Sequence, residues 1–173
     1  MHDEAYAFLK SATEQLDLLG AMVLEIGSRN VNGTPRPLFA GCALYLGIDP
    51  RAGDAVDYVR TAGEYDGKGF YDYVVSAEVM EHADPREIVE CAWKALKPGG
   101  LFILTAATDG RAPHSNDGVL GMYENEYYGN VSRDQLTELL GAWDLVQLEV
   151  NEVHHDIYAV ARKPETAPGR SKA

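Results

Sequence analysis

The sequence predicts an α/β fold, a mostly parallel sheet that closes with an antiparallel hairpin. Three observations carry this reading. Short apolar runs of strand length alternate with helix-period segments through most of the chain, and runs of this kind fit strands covered on both faces. The run Ala21-Met22-Val23-Leu24-Glu25-Ile26 leads into a turn opening at Gly27, the place where a parallel α/β sheet holds its ligand. Near the end, strand-like runs at about 143–150 and 154–162 are separated only by Asn151-Glu152-Val153, short enough for a hairpin. An acid just ahead of the turn suits a ligand with a positive or hydroxyl-rich part better than a pyrophosphate.

The 173 residues suffice for one domain with a real core and are too few for two ordinary ones. A content of 46% hydrophobic and 24% charged residues is that of a globular protein, so disorder is not expected. No apolar run has the length of a membrane span, and the N-terminal residues lack the basic-then-apolar layout of a signal peptide. A cytoplasmic location and no membrane partner are therefore expected. The net charge of −12 argues against a broad phosphate-binding surface, which makes nucleic acid an unlikely partner. Cys42 and Cys91 have no metal-like spacing and read as small apolar fillers.

The elements follow in order. Ala5, Phe8, Leu9, Ala12, Leu16 and Leu19 lie near helical spacing, predicting an N-terminal helix over residues 3–19 with Gly20 as its stop. The first strand covers 21–27. Gly33, Pro35, Pro37 and Gly41 permit only a short helix after it, Pro35 to Phe39. Ala43-Leu44-Tyr45-Leu46-Gly47-Ile48-Asp49 is the second strand, and Val56-Asp57-Tyr58-Val59 the third, too close for a crossover helix between them. Tyr71-Asp72-Tyr73-Val74-Val75-Ser76 is the fourth. Asp84-Pro85 starts a helix that runs through Ile88, Val89, Ala92, Trp93 and Leu96 and stops before Lys97-Pro98-Gly99-Gly100. Leu101-Phe102-Ile103-Leu104-Thr105 is the fifth strand. Residues 106–131 have no period, and a segment that long in a compact domain points to function or disorder. Ser132 with Asp134-Gln135 caps a further helix carrying Leu136, Leu139 and Leu140. One domain over 1–162 and a frayed polar tail over 163–173 complete the expectation.

Four segments together resemble the class I S-adenosylmethionine-dependent methyltransferases over about residues 21–162. Val23-Leu24-Glu25-Ile26-Gly27-Ser28 resembles the family's first motif, and Leu46-Gly47-Ile48-Asp49 its acid-tipped second strand. Tyr71-Asp72-Tyr73-Val74-Val75-Ser76-Ala77-Glu78-Val79-Met80-Glu81-His82 resembles the strand-four motif, with the Glu-His ending of the ubiquinone-pathway-like methyltransferases. Leu96-Lys97-Pro98-Gly99-Gly100 resembles the turn before strand five. More narrowly, Glu25 through Gly33 looks like small stand-alone bacterial or phage members. The resemblance implies a Rossmann-like sheet with an antiparallel last strand, S-adenosylmethionine as cofactor, S-adenosylhomocysteine as product, and a small-molecule or sugar-type acceptor. The oligomeric state is left open.

The residues the resemblance implies for the cofactor are Glu25, Gly27, Ser28, Arg29, Asp49, Pro50, Thr61, Ala62, Ser76, Ala77 and Glu78. Gly27 admits the methionine part without a Cβ in the way, and Asp49 can accept both ribose hydroxyls. Thr61 stands where the family usually carries an acid. The first motif departs too: Gly27-Ser28-Arg29-Asn30-Val31 replaces Gly-x-Gly-x-Gly, so Asn30 or Asn32 is expected to take the strained conformation. His82 and His114 are the catalytic candidates, since an imidazole can take a proton from a hydroxyl near neutral pH.

Plainer readings stand beside these: Glu25 as a salt-bridge acid, Asp49-Pro50 as a turn, His82 as a cap of the next helix, His114 as an exposed loop residue. Glu78, Glu81 and His82 are similar to the metal-binding segment of small-RNA 3′-end methyltransferases, but no metal is expected, and His154-His155 is read as alternating across a strand. Tyr123, Tyr127 and Tyr128 can stack on a substrate or anchor a lid. The expected chemistry is O-methylation. Two alternatives are a catalytically inactive methyltransferase-like partner subunit and a nicotinamide-dependent oxidoreductase, although the latter needs a Gly-x-Gly-x-x-Gly that the chain lacks.

Overall fold

The structure, a computed structural model, describes residues 1–117, 119 and 121–165. The predicted tail over 163–173 therefore falls largely outside the described residues, from 166 onward.

Strand-length apolar runs build a seven-stranded sheet in the order β3-β2-β1-β4-β5-β7-β6. Its members are β1 Met22–Ile26, β2 Leu44–Asp49, β3 Tyr58–Val59, β4 Tyr71–Ala77, β5 Leu96–Ala107, β6 Asp144–Asn151 and β7 Asp156–Arg162. The pairs β1–β2, β1–β4, β2–β3 and β4–β5 are parallel, while β7 runs antiparallel to both β5 and β6. This is the expected sheet with its closing hairpin. The third strand shrinks to two exposed residues, and no α-helix separates it from β2.

Alternation along the strands divides the core. Leu24, Ile26, Phe102 and Leu104 face α2 (Pro85–Ala95) and α3 (Arg133–Leu139), together with Ile88, Ala92 and Leu136. Val23, Val75 and Ile103 face the other way, onto Phe8 and Leu9 of α1 (Asp3–Thr13) and onto Phe39. The period of two is what buries both faces of one strand. Trp93 and Trp143 meet edge to face at 5.0 Å, with Trp143 buried and Trp93 only half-buried.

Asp84 caps α2 by accepting the Arg86 amide, and Ser132 caps α3 by accepting the Gln135 amide, both as read from sequence. The crossover from β1 to β2 holds only a 3-10 turn, Arg36–Phe39. Three expectations fail. The N-terminal helix ends at Thr13, whose hydroxyl bonds back to the Lys10 carbonyl, and Asp17 then accepts the Leu19 amide in a local turn. Leu19 consequently projects into solvent, although Leu16 and Leu18 still pack on the core. Next, Leu96-Lys97-Pro98-Gly99-Gly100 is not an interval between helix and strand. It is the start of β5, joined to the rest through a register shift opposite Tyr71 and Tyr73. Finally, His154 and His155 lie in the β6–β7 turn, where His155 has φ +55°, and not across a strand.

The turn after β1 is locked by backbone. The amides of Gly27 and Ser28 both donate to the Ile48 carbonyl at the end of β2, at 2.8 and 3.0 Å. Gly27 has φ +79°, and a Cβ there would lie 2.2 Å from a Val79 methyl. A side chain at this position would thus meet both backbone strain and overlap, together costing about 2–5 kcal/mol. Gly27→Ala should lower unfolding stability by that amount in urea titration. Adding Val79→Ala should restore the steric part and leave the backbone part; full restoration would contradict the φ argument.

Candidate functional site

The carboxyl ends of β1, β2, β4 and β5 and the antiparallel start of β7 lie on one edge of the sheet, and the loops they feed enclose a cavity of about 630 Å³. That is the size of a small-molecule site. Because the strand order is β2, β1, β4, β5, β7, the cavity runs from Asp49 at one end to Arg111 at the other.

Of the residues expected at the cofactor, Glu25, Gly27, Arg29, Asp49, Pro50, Thr61, Ala62, Ala77 and Glu78 line this cavity. Ser28 and Ser76 do not. Both are buried behind its wall, with hydroxyls that have no partner among the described residues. Ser28 fits because Gly47 faces it bare: a Cβ on Gly47 would come within 2.5 Å of the Ser28 hydroxyl. Asn30 and Asn32 do not take the left-handed conformation; Gly27 and Gly33 do. Asn30 instead ties the loop down, its amide donating to the Asp54 carbonyl at 2.9 Å and its side-chain oxygen accepting the Gly33 amide.

Asp49 is oriented by two backbone amides, Arg51 at 2.8 Å and Arg29 at 3.4 Å, which leaves carboxylate lone pairs free toward the cavity. Thr61 bonds Glu64 through its hydroxyl at 3.0 Å, so its side chain is committed locally. Glu25 is 2% exposed and accepts the Tyr45 hydroxyl at 2.9 Å. Burial pushes its carboxyl up to about 8, the Tyr45 hydrogen bond and the nearby Arg36 opposing that shift.

At the other end, Met80–His82 forms a 3-10 turn after β4. His82 does not cap α2, which Asp84 does, and its ring faces the cavity. The rings of His82, His114 and Tyr128 meet edge to face at 5.0 to 5.5 Å, so His114 is a cavity residue and not an exposed one. Tyr123 and Tyr127 are exposed and make no part of this cluster. Burial pushes His82 down to about 4, with His114 adding to the effect, so its imidazole is neutral at physiological pH. Beneath it Glu81 is fully buried, and neither carboxylate oxygen has a hydrogen-bond partner among the described residues. Burial, aided by the charge of Glu78, raises its carboxyl. Glu81, His82 and His114 each place a ligand atom within 4.8 Å of the other two, as do His2, Glu78 and Asp156. An orphaned carboxylate with two imidazoles is a donor set that fits a divalent first-row cation.

Sequence reasoning missed His2, Arg111 and Asp156. His2 sits within 3.3 Å of Glu78 and 3.2 Å of Asp156, and Arg111 pairs with Asp156 at 3.0 Å. Asp156 and Glu78 push His2 up to about 10, so it is an imidazolium. Nothing in the sequence links residues so distant along the chain. The one available signal was a lone arginine in the aperiodic segment after the fifth strand. Glu78 has φ +58°, a conformation a non-glycine residue adopts at a cost of about 1–3 kcal/mol, and such strain collects at functional positions.

The folded protein holds the Glu25 proton up to about pH 8, whereas an ordinary glutamate releases it near 4.5. Between these values the folded state binds more protons than the unfolded one, so this group's contribution to stability falls as pH rises. Glu25→Gln should therefore raise the thermal midpoint relative to wild type at pH 8, and the difference should shrink at pH 5. An equal difference at both pH values would contradict this assignment.

A methyltransferase-domain family matches residues 33–104, beginning just beyond the altered glycine turn. No curated protein matches the chain in sequence. Among solved structures, the chain is similar to the Burkholderia thailandensis 1,6-didemethyltoxoflavin-N1-methyltransferase with bound 1,6-didemethyltoxoflavin and S-adenosylhomocysteine. That match has TM-score 0.67 and 18% identity, and covers 93% of this chain and 77% of that one. It is also similar to N-methyltransferase NodS from Bradyrhizobium japonicum WM9, with TM-score 0.64, 18% identity, and 94% and 98% of the two chains covered. A third is the complex of the Haloferax volcanii Trm112 methyltransferase activator with a putative methyltransferase, at TM-score 0.70, 14% identity, and 94% and 90% coverage. At such identities the likeness is one of fold, and the sheet order with its antiparallel end is the feature shared. Residues 33–104 match a methyltransferase domain, and the sheet as a whole has the fold of the class I methyltransferases.

Proposed function

We propose that this cavity binds S-adenosylmethionine and that the protein transfers its methyl group to a hydroxyl of a small-molecule or sugar-type acceptor. The observation that carries the reading is the order of groups along one cavity. Asp49, with free lone pairs, stands at one end, the bare turn at Gly27 and the buried Glu25 in the middle, and a neutral imidazole, His82, at the other. A carboxylate that can accept two hydroxyls suits a ribose. A buried carboxyl in the middle that can make hydrogen bonds suits the cofactor's amino-acid end.

The sulfonium methyl is already activated, so the protein's task is alignment and exclusion of water. The acceptor oxygen attacks the methyl carbon, the carbon–sulfur bond breaks, and sulfur keeps the electron pair as a neutral thioether. The hydroxyl proton becomes strongly acidic as the new bond forms, so a weak base suffices to take it. His82 holds that place, with His114 and Tyr128 packed against it to fix the ring. Arg111, Asn116 and Glu78 supply polar contacts at the acceptor end.

Calorimetry tests the reading. S-adenosylhomocysteine should bind the wild type, NAD should give no heat, and Asp49→Ala should weaken binding about 10- to 100-fold through loss of charge-assisted hydrogen bonds. His82→Gln should leave that affinity within about twofold and lower methyl transfer to a hydroxyl-bearing acceptor panel about 100-fold or more. If neither S-adenosylmethionine nor S-adenosylhomocysteine binds at millimolar concentration, the reading is wrong.

A second reading adds a divalent cation held by Glu81, His82 and His114, favoured by the unpartnered oxygens of Glu81. Bound there, a cation would supply Lewis-acid stabilisation of an acceptor oxygen. Titrating Mn²⁺ or Zn²⁺ into chelator-treated protein decides it: binding abolished by both Glu81→Gln and His114→Ala favours the cation, and no binding favours the metal-free base.

A further inference from the structure

The altered turn after β1 puts an arginine, Arg29, where the family it resembles has a glycine, and the proposed chemistry uses only its backbone. Its side chain has a specific destination. The aliphatic stem lies across Gly53, where an added Cβ would stand 2.9 Å from its Cγ. Beyond that, one guanidinium nitrogen donates both to the Asn116 carbonyl, at 3.1 Å, and to the Asp117 carboxylate, at 2.7 Å. Arg51, from the loop after β2, reaches the same Asp117 oxygen at 3.4 Å. Both arginines also donate their backbone amides to Asp49. Two cations that orient the ribose-side carboxylate therefore also hold the segment that follows β5.

That segment is tied down by further hydrogen bonds where it is held. Ser115 is 1% exposed; its hydroxyl donates to Glu126 at 3.0 Å and accepts the Asp117 amide at 3.1 Å. The next residue back is His114, packed on His82. A displacement of Asp117 is thus passed through two residues to the cavity wall at the acceptor end.

We propose that Arg29, Arg51 and Asp117 form a latch that couples the cofactor end of the cavity to the loop carrying His114, making Asp117 a positioning residue for the acceptor side. The inference rests on the proposed reading of the cavity as an S-adenosylmethionine site. It explains why this turn tolerates the loss of a glycine: the side chain gained at Arg29 is accommodated by a glycine elsewhere, Gly53, and given an anionic partner. It also implies order. A cofactor seated on Asp49 steadies the backbone of both arginines, and these steady the loop against which the acceptor then packs.

Hydrogen–deuterium exchange on the full chain, with S-adenosylhomocysteine as the probe, tests the latch in wild type, Asp117→Ala and Asp117→Glu. Asp117 is a surface carboxylate outside the cofactor contacts, so the alanine variant should fold and still bind the probe. In wild type the probe should slow exchange across residues 109–117 about fivefold or more, the scale of one well-placed ion pair. Asp117→Ala should lose that response and release the probe about fivefold faster, and Asp117→Glu should restore both. A probe response in Asp117→Ala equal to wild type, or none in a wild type that binds the probe, overturns the latch. Failure of the wild type to bind the probe overturns instead the cofactor reading on which the latch rests.

Discussion

Only a hydrogen atom fits between the α-carbon of Gly27 and the side chain of Val79, and the site depends on that contact. It brings the turn after β1 against the turn after β4, the two loops that supply the cavity's floor. The paired amide donation from Gly27 and Ser28 to Ile48 then fixes the same turn against β2. With these joints made, Glu25, Asp49, Glu78 and His82, contributed by three different strands and the turns after them, open onto one cavity. The steric half rests on the Val79 side chain, and the hydrogen-bonded half is backbone, so the latter survives changes in the surrounding side chains. Arg29 is such a change, next to Ser28. Each is accommodated by a bare glycine opposite it, Gly53 and Gly47 respectively, and the turn keeps its course.

Charge is distributed with equal economy. The chain is strongly acidic, yet Arg29, Arg51, Arg60 and Arg111 all line the cavity. The buried Asp156 is matched by Arg111 and the His2 imidazolium, and Tyr158 donates to its second oxygen at 2.9 Å. Among the described residues Glu25 has one hydroxyl partner, and Glu81 has no side-chain partner. A buried carboxylate without a cationic partner is costly as an anion, so both are held toward their neutral forms. Burial is the main cause of both shifts, and of the two only Glu25 opens onto the cavity.

The strands, the order of elements and the acid-tipped turns were legible because each rests on local pattern: apolar runs, Gly27, Asp84-Pro85, Ser132 with Gln135. What local pattern could not show is where the chain leaves its period. The first helix stops at Thr13 because a hydroxyl turns back on the preceding carbonyl, a competition invisible in the spacing of apolar residues. The fifth strand begins five residues early because Leu96 finds a partner in Tyr71, a matter of tertiary pairing. For the site, the residues on strand tips could be named one by one. The packing of His114 on His82, the cluster of His2 with Glu78 and Asp156, and the grip of Arg29 on Asp117 each join segments far apart in sequence. A single chain read alone holds no record of those meetings.

The central claim is that one cavity orders cofactor and chemistry along the edge of the sheet. A crystal structure of the protein with S-adenosylhomocysteine tests it most directly. The account predicts the ribose hydroxyls on Asp49, the amino-acid end beside Gly27 and Glu25, and the sulfur directed toward His82. A cofactor bound with its ribose at the His82 end, or outside this cavity altogether, would contradict it.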